Sequence, residues 1–323
     1  MITSPMFSDW WLNLALDAGV IVLALALDRL LPESPAAIHP VVWMGRAIRM
    51  LVRGRPTAPV AAFLCGAVVV VVVVGAFGAL GWFVMKGLAA LGPVAYLLGG
   101  ALLLRTTFTV TGLSAAAGKT RRALGEDRLD DARESLSSLV SRDSATLTAP
   151  LVAAAAVESV AENTTDSYIS PWLAFAILGV PGAVAYRAVN TLDSMLGYRG
   201  PNEYLGKAAA RLDDLVNWIP ARISALLLLA SGATLRLPVL PAWRGMLRDR
   251  LLTESPNAGW TMGAMAGLLG AELEKPGHYR LGAGLRQPEA DDIRLSVRLA
   301  EHTAVLGVLL SLGVLVARHA IAG

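Results

Sequence analysis

The chain reads as an all-α, multi-pass integral membrane protein with cytoplasmic helical segments, and three observations predict that class. Of its 323 residues 55% are hydrophobic and only 16% are charged, against about 25% charged in soluble domains. The mean hydropathy is +0.56. Several apolar runs approach the roughly 20 residues needed to cross a bilayer. A net charge of +3 and the lack of a basic stripe interleaved with aromatics argue against nucleic acid as a partner. The one cysteine, Cys65, sits in an apolar run and excludes both an internal disulfide and a cysteine-based metal site.

The elements follow in chain order. Trp10–Leu31 is the first span, interrupted by Asp17 and Asp28. It is read as retained, since no basic segment precedes Trp10 and no small-residue cleavage site precedes Asp28. Asn13, Asp17 and Asp28 share one helical face, the side expected to meet other helices. Val60–Met85, with a Val-rich centre, and Ala89–Leu104 form a helical hairpin turning at Leu91-Gly92-Pro93. Arg105–Arg142 is polar with helical spacing and breaks at Leu124–Asp127, a second hairpin. Leu147–Val157, Trp172–Val180, Ile223–Ala233 and Ala258–Leu269 are apolar but short, the size of buried, interfacial or re-entrant helices. His302–Ala317 is a C-terminal span. Residues 1–323 thus read as a single membrane domain: three N-terminal spans in 1–104, a cytoplasmic helical hairpin in 105–143, a polar/apolar block in 144–235, a Pro/Gly-rich cytoplasmic segment in 236–300 and a span in 301–323. Arg46, Arg49, Arg53 and Arg55 precede the first hairpin, and Arg105, Lys119, Arg121 and Arg122 follow it, whereas Lys86 alone marks its turn. The positive-inside rule puts both basic segments in the cytoplasm.

Chemistry is concentrated between Ser141 and Arg222. Polar groups in apolar surroundings persist with partners or a function. In VESVAENTTD, Glu158, Glu162 and Asp166 are spaced i, i+4, i+8 on one face of a helix. Three carboxylates on one stripe repel one another, and a divalent cation relieves that; Mg²⁺ commonly takes one or two carboxylates together with phosphates. In YRAVNTLDSMLGYR, Arg187, Asn190 and Asp193 share a face. In ARLDDLVNWIPAR, Asp213 and Asn217 share one face, Arg211 and Asp214 another, and Pro220 ends or kinks the helix. Arginine suits bidentate grip of phosphate or carboxylate, and Arg142 in SRD adds another. ESPNAGW reads as a turn feeding a helix, with Ser255 and Asn257 at a start whose N–H groups can hold an anion. His39 stands at the head of an extended loop before Trp43. Gly112 to Thr120 imitates a phosphate loop, but five residues separate its glycines where that loop has four, and no strand precedes it.

The ordered set LDRLLPESPAAIHPVVWMGRAI, SRD, VESVAENTTDSYISPW, YRAVNTLDSMLGYR, ARLDDLVNWIPAR and ESPNAGW resembles the CobD/CbiB family, membrane-bound adenosylcobinamide-phosphate synthases of cobalamin biosynthesis. The resemblance runs from about Asp28 to Leu269. It departs at Leu31–Pro35, where family members often read Gly-Asp-Pro and this chain offers Glu33 and Ser34. The resemblance implies a ligase that joins the ring propionate of adenosylcobyric acid to the amine of aminopropanol phosphate, aminopropanol or ethanolamine phosphate. ATP drives the reaction with Mg²⁺, and the corrinoid is substrate. The acidic stripe of Glu158, Glu162 and Asp166 is the expected set of metal ligands. Asn190, Asp193, Asp213, Asp214 and Asn217 are the expected catalytic set. Arg142, Arg187, Arg211, Arg222, Ser255, Asn257 and His39 are expected to bind substrate or phosphate. The implied partners are the inner-membrane bilayer and either other cobalamin-assembly membrane proteins or a second copy of the chain. Two other classes share part of the signature. A small-ion transporter also carries intramembrane carboxylates and broken apolar segments, but calls for two pseudo-symmetric polar blocks, and this chain has one. A membrane sensor of the AmpE type would not need the long central motifs.

Overall fold

The computed structural model describes residues 6, 7, 9–32, 35–37, 39–140, 143–197 and 203–322. The expected α-helical class is what forms, and its helices fall into two compact units. Unit 1 comprises Met1–Thr109, Ser170–Val216 and Val308–Gly323, and unit 2 comprises Val110–Ile169 and Asn217–Gly307.

Unit 1 is a helical bundle. Helix α1 (Trp10–Leu30) begins where the Asp9 carboxylate accepts from the Trp11 amide at 2.9 Å, satisfying one of the amides a helix start leaves without an internal partner. A short amphipathic α2 (Pro40–Leu51) follows, then α3 (Pro59–Ala90) and α4 (Pro93–Arg105), each with Pro in its first turn. Gly92 joins α3 to α4 at φ +113°, a backbone that needs glycine. Along α3, Val69, Val70 and Val73 are buried while Val68, Val71 and Val72 face outward. The outward set has the character of a lipid-facing stripe, which explains how a valine run of low helix propensity in water forms a helix here. Helix α8 (Ser170–Leu196) packs on α2, α3 and α4, and α9 (Glu203–Val216) packs on α3 and α8. A Cβ on Gly66 of α3 would collide with the Leu205 carbonyl of α9, so glycine there permits near backbone contact. Within α8, Gly179 at φ +72° and Pro181 break the helix into two pieces.

Unit 2 holds the helices α5 (Thr111–Gly125), α6 (Leu129–Leu136), α7 (Ala149–Thr164), α10 (Trp218–Thr234), α11 (Val239–Asp249) and α12 (Ala258–Leu269). Helix α13 (Ala290–Ala322) starts in unit 2 and ends in unit 1. Helix α7 runs into a π-helical turn, Thr165–Ile169. The core is α12 packed against α7, α10 and α11, with α5 and α6 against α7. An antiparallel pair, β1 (Leu273–Lys275) and β2 (Tyr279–Leu281), turns at Pro276-Gly277 and lies on α7 and α12. The sequence reading expected no strand; this hairpin occupies the Pro/Gly-rich stretch, where Pro-Gly favours a reversal.

Among the described residues, Trp10–Leu30, Pro59–Ala90, Ala149–Leu196 and Ala290–Ile321 are long and apolar enough to cross a membrane, and α9 with α10 would make a fifth if counted as one span. The expected third N-terminal span differs: α4 has 13 residues, about 20 Å of helix against a hydrocarbon core of about 30 Å. Trp172–Val180 is not an isolated short segment either. It lies within the helical run Ala149–Leu196, which also carries Glu158, Glu162 and Asp166.

Candidate functional site

The expected polar residues fall in both units. In unit 1, Arg187, Asn190 and Asp193 share a face of α8 as their spacing predicts, and the Arg187 guanidinium donates to Asn190 Oδ1 at 3.3 Å. Helix α9 packs on α8 and carries Arg211, Asp213 and Asp214; Asp214 is the like charge that acts on Asp193. Asp193, Asp213 and Asp214 are half-buried, whereas Arg211 is exposed. His39 sits at the start of α2, where its Nδ1 accepts from the Val41 amide at 3.3 Å; it is placed as a helix cap. Arg142, with Ser141 and Glu33, lies outside the described residues.

In unit 2, Glu158 is 4% exposed on α7, Glu162 is exposed and Asp166 is half-buried. The sequence reading set all three on one α-helical stripe, and this is corrected: Glu158 and Glu162 are one turn apart, but Asp166 stands in the π-helical turn, where the widened turn shifts it off the i, i+4, i+8 line. Such turns recur at functional sites. Among the described residues no three His, Cys, Asp or Glu side chains are grouped to hold a metal. The donor set still fits Mg²⁺ as that ion is usually bound, by one or two carboxylates completed by phosphate.

The end or kink expected at Pro220 does occur, but at a different residue. The chain breaks three residues earlier, at the buried Asn217, which caps α10. Proline has no N–H for a bond to the carbonyl one turn back, and it is tolerated in a first turn. Asp213 and Asn217 therefore do not share a continuous helix face.

Arg222 projects from the second turn of α10. Its Nη1 donates to the Trp218 carbonyl at 2.7 Å and to Asn257 Oδ1 at 2.6 Å. The guanidinium carbon lies 4.6 Å from the Trp218 ring centre and 4.8 Å from that of Trp260. Asn257 does stand at the start of α12, but its side chain makes no capping bond. Its oxygen serves Arg222, and its amide donates to Ser255 Oγ at 3.2 Å. Gly259 lets α12 begin directly on the end of α11: a Cβ there would collide with the Arg250 carbonyl oxygen and meet Thr253 Oγ1 at 2.9 Å. Within this unit α12 packs on α7, and α10 packs on the π-helical turn that holds Asp166.

The sequence reading passed over Arg250 and the two tryptophans. Arg250 has its guanidinium carbon 5.4 Å from the Trp260 ring centre. The signal available was slight, an arginine ending an amphipathic helix four residues before ESPNAGW. The Gly112–Thr120 segment is helical throughout and has an exposed Lys119, as its rejection as a phosphate loop requires.

Fold and site together define an all-α membrane protein that presents carboxylates, amides and guanidinium groups on helices of two compact units. Comparison with known proteins then places it. The family model described as CobD/Cbib protein matches residues 21–304, and the chain belongs to that family. It is 43% identical over 297 residues to a cobalamin biosynthesis protein CobD of Dehalococcoides mccartyi, covering 92% of this chain and 96% of the relative. It is 37% identical over 302 residues to a probable cobalamin biosynthesis protein CobD of Methanothermobacter thermautotrophicus, covering 93% and 98%. The CobD protein of Photorhabdus laumondii is 38% identical over 283 residues, covering 86% and 88%. No solved structure matches this chain.

Proposed function

We propose that this protein is a membrane-bound enzyme of cobalamin biosynthesis that forms an amide between the ring propionate of adenosylcobyric acid and the amine of aminopropanol phosphate, or of aminopropanol or ethanolamine phosphate, at the expense of ATP. The observation that carries this reading is the kinship with cobalamin biosynthesis proteins over most of the chain, supported by the meeting of Arg222, Asn257 and Ser255 at the start of α12. A carboxylate is a poor acyl donor because oxide would have to leave. Transfer of the terminal phosphoryl group of ATP to the propionate gives an acyl phosphate and ADP. The amine then attacks the acyl carbon, phosphate leaves, and the ammonium proton passes to a base.

In this reading Glu158 and Glu162, one turn apart on α7, would supply one or two carboxylates for Mg²⁺, whose positive charge would offset the negative charge of the ATP phosphates, and Asp166 stands in the adjoining π-helical turn. Arg187 and Arg222 grip phosphate or propionate, with Arg142 and Arg211 as further cations. Asp193 and Asp214, which repel each other, are suited to accept a proton; Asn190, Asp213 and Asn217 orient the reacting groups. His39 keeps its place here as a substrate contact only secondarily, since its ring nitrogen serves α2. The charged substrates put the working face in the cytoplasm, with the basic segments Arg46–Arg55 and Arg105–Arg122 on the same side.

The direct test is amide formation by the purified protein with adenosylcobyric acid, aminopropanol phosphate, ATP and Mg²⁺, omitting each in turn. Product is expected only with the full set, and product without ATP would remove the acyl-phosphate route. The orientation is tested with single cysteines at positions 86 and 125 in a Cys65→Ser background. An impermeant thiol reagent on intact cells should label position 86 and spare position 125; the reverse would place the working face outside.

A further inference from the structure

We propose that Arg222 and Arg250, facing the start of α12, form the binding site for a phosphate monoester dianion rather than for a propionate. This rests on the amide-forming reading and narrows it, since that reading leaves Arg222 free to hold either group. Both guanidinium carbons lie within 5.4 Å of one indole ring centre, that of Trp260. Two cations brought to one ring repel each other, and the ring faces of Trp218 and Trp260 offset only part of that repulsion. Among the described residues neither guanidinium is paired with a carboxylate: Arg222 donates to the Trp218 carbonyl and to Asn257, and Arg250 to the Leu247 carbonyl. The nearest carboxylates along the chain point elsewhere. Asp249 accepts two bonds from Arg248, at 2.6 and 2.8 Å, and one from the Gly282 amide at 2.7 Å. Glu254 meets His278 at 2.9 Å.

The start of α12 and the Trp260 indole add donors beside these two cations. Helix α12 has 12 residues, and its first amides have no side-chain cap; an uncapped helix start attracts anions. The Trp260 indole nitrogen is buried and has no hydrogen-bond partner among the described residues, although buried indole N–H groups usually find one. Gly259 brings the Arg250 backbone against that helix start, because any side chain at 259 would push them apart. A monocarboxylate brings one negative charge and two oxygens. A phosphate monoester brings close to two charges and three acceptor oxygens, which matches two guanidinium forks plus the helix-start donors.

Two sources carry this chemistry, the phosphorylated amino alcohol and the terminal phosphate of a nucleotide. Binding to the detergent-purified full chain is measured by calorimetry with aminopropanol phosphate, aminopropanol and MgATP. Arg250→Ala is expected to weaken aminopropanol phosphate at least tenfold and leave aminopropanol unchanged. If MgATP weakens tenfold instead, the nucleotide is the source and the dianion site stands. Arg250→Lys keeps a charge but not the fork, so it should lose less than Arg250→Ala and guards against loss of fold as the cause. Arg244→Ala, an exposed arginine on the same helix, should bind like the parent. Unchanged affinity for both phosphates in Arg250→Ala, or weaker adenosylcobyric acid binding alone, overturns the proposal. These are binding readouts, so they stand even if the amide-forming assay yields no product.

Discussion

Two clusters of charge in this protein are built on opposite plans. In unit 1 the carboxylate of Asp17 on α1, 4% exposed, accepts from Tyr96 Oη of α4 at 2.7 Å and from Arg318 of α13, and lies 2.9 Å from His319 Nε2. Arg318 also donates to the Phe175 carbonyl of α8 at 3.4 Å. One anion is enclosed by groups from two other helices, α4 and α13, so its charge is matched within the fold. In unit 2 Arg222 and Arg250 share one indole ring and have no carboxylate partner among the described residues. The first arrangement can only stabilise, since it offers a ligand no charge to meet. The second keeps two half-buried cations together against aromatic rings. A fold that matches charge so fully in one place and not in the other has the second available for a ligand.

The largest expected effect comes from breaking the matched cluster. Asp17→Ala leaves the half-buried Arg318 beside His319 with no anion, and removing one partner of a buried pair costs up to about 3–5 kcal/mol. A drop in melting temperature in detergent should report it, with the binding of aminopropanol phosphate to the protein still folded left as it was. A melting temperature within a degree of the parent would mean that the cluster contributes little. A loss of phosphate binding without loss of fold would erase the contrast between the clusters.

A smaller effect sharpens the contrast at the edge of the second cluster. Hydrogen bonds from Arg248, opposed in part by burial, hold the Asp249 carboxyl below the usual carboxylate range, with help from the Gly282 amide. A carboxyl depressed on folding adds stability above its unfolded pKa of about 3.9, and that stability is lost as the pH falls through the lower folded value. Asp249→Asn should therefore cost about 1–3 kcal/mol at pH 7 and less as the pH falls below about 4. Since Asp249 ties the end of α11 to the Gly282 turn, the same change should also weaken phosphate binding by loosening Arg250. A variant whose stability deficit is constant from pH 7 to pH 3 would show that ionised Asp249 is not what holds that turn.

Much of this was readable in local pattern. The burial of Asn13, Asp17 and Asp28, at 5%, 4% and 8% exposure, agrees with the single face their spacing defines. Arg187 and Asn190 meet because i, i+3 neighbours on a helix must. The start of α12 was visible in ESPNAGW. Local pattern failed where a local rule was overridden. The π-helical turn moves Asp166 off a stripe that ideal helix geometry would keep, and Pro220 is absorbed by starting a new helix at Asn217. It failed also where the partner was distant. Nothing near Asp17 announces Arg318, and nothing near Arg222 announces Arg250.

By itself, then, the sequence determined the class of protein, the positions of most helices and which residues of each helix share a face, because hydropathy and the 3.6-residue period act over a few turns of chain. Only the tertiary structure decided which charges are matched and which are left over. That outcome depends on which helices lie side by side, on glycines such as Gly66 and Gly259 that let backbones meet, and on ring faces contributed from far along the chain. Electrostatic partnership is a property of space, and sequence spacing reports it only within a single helix.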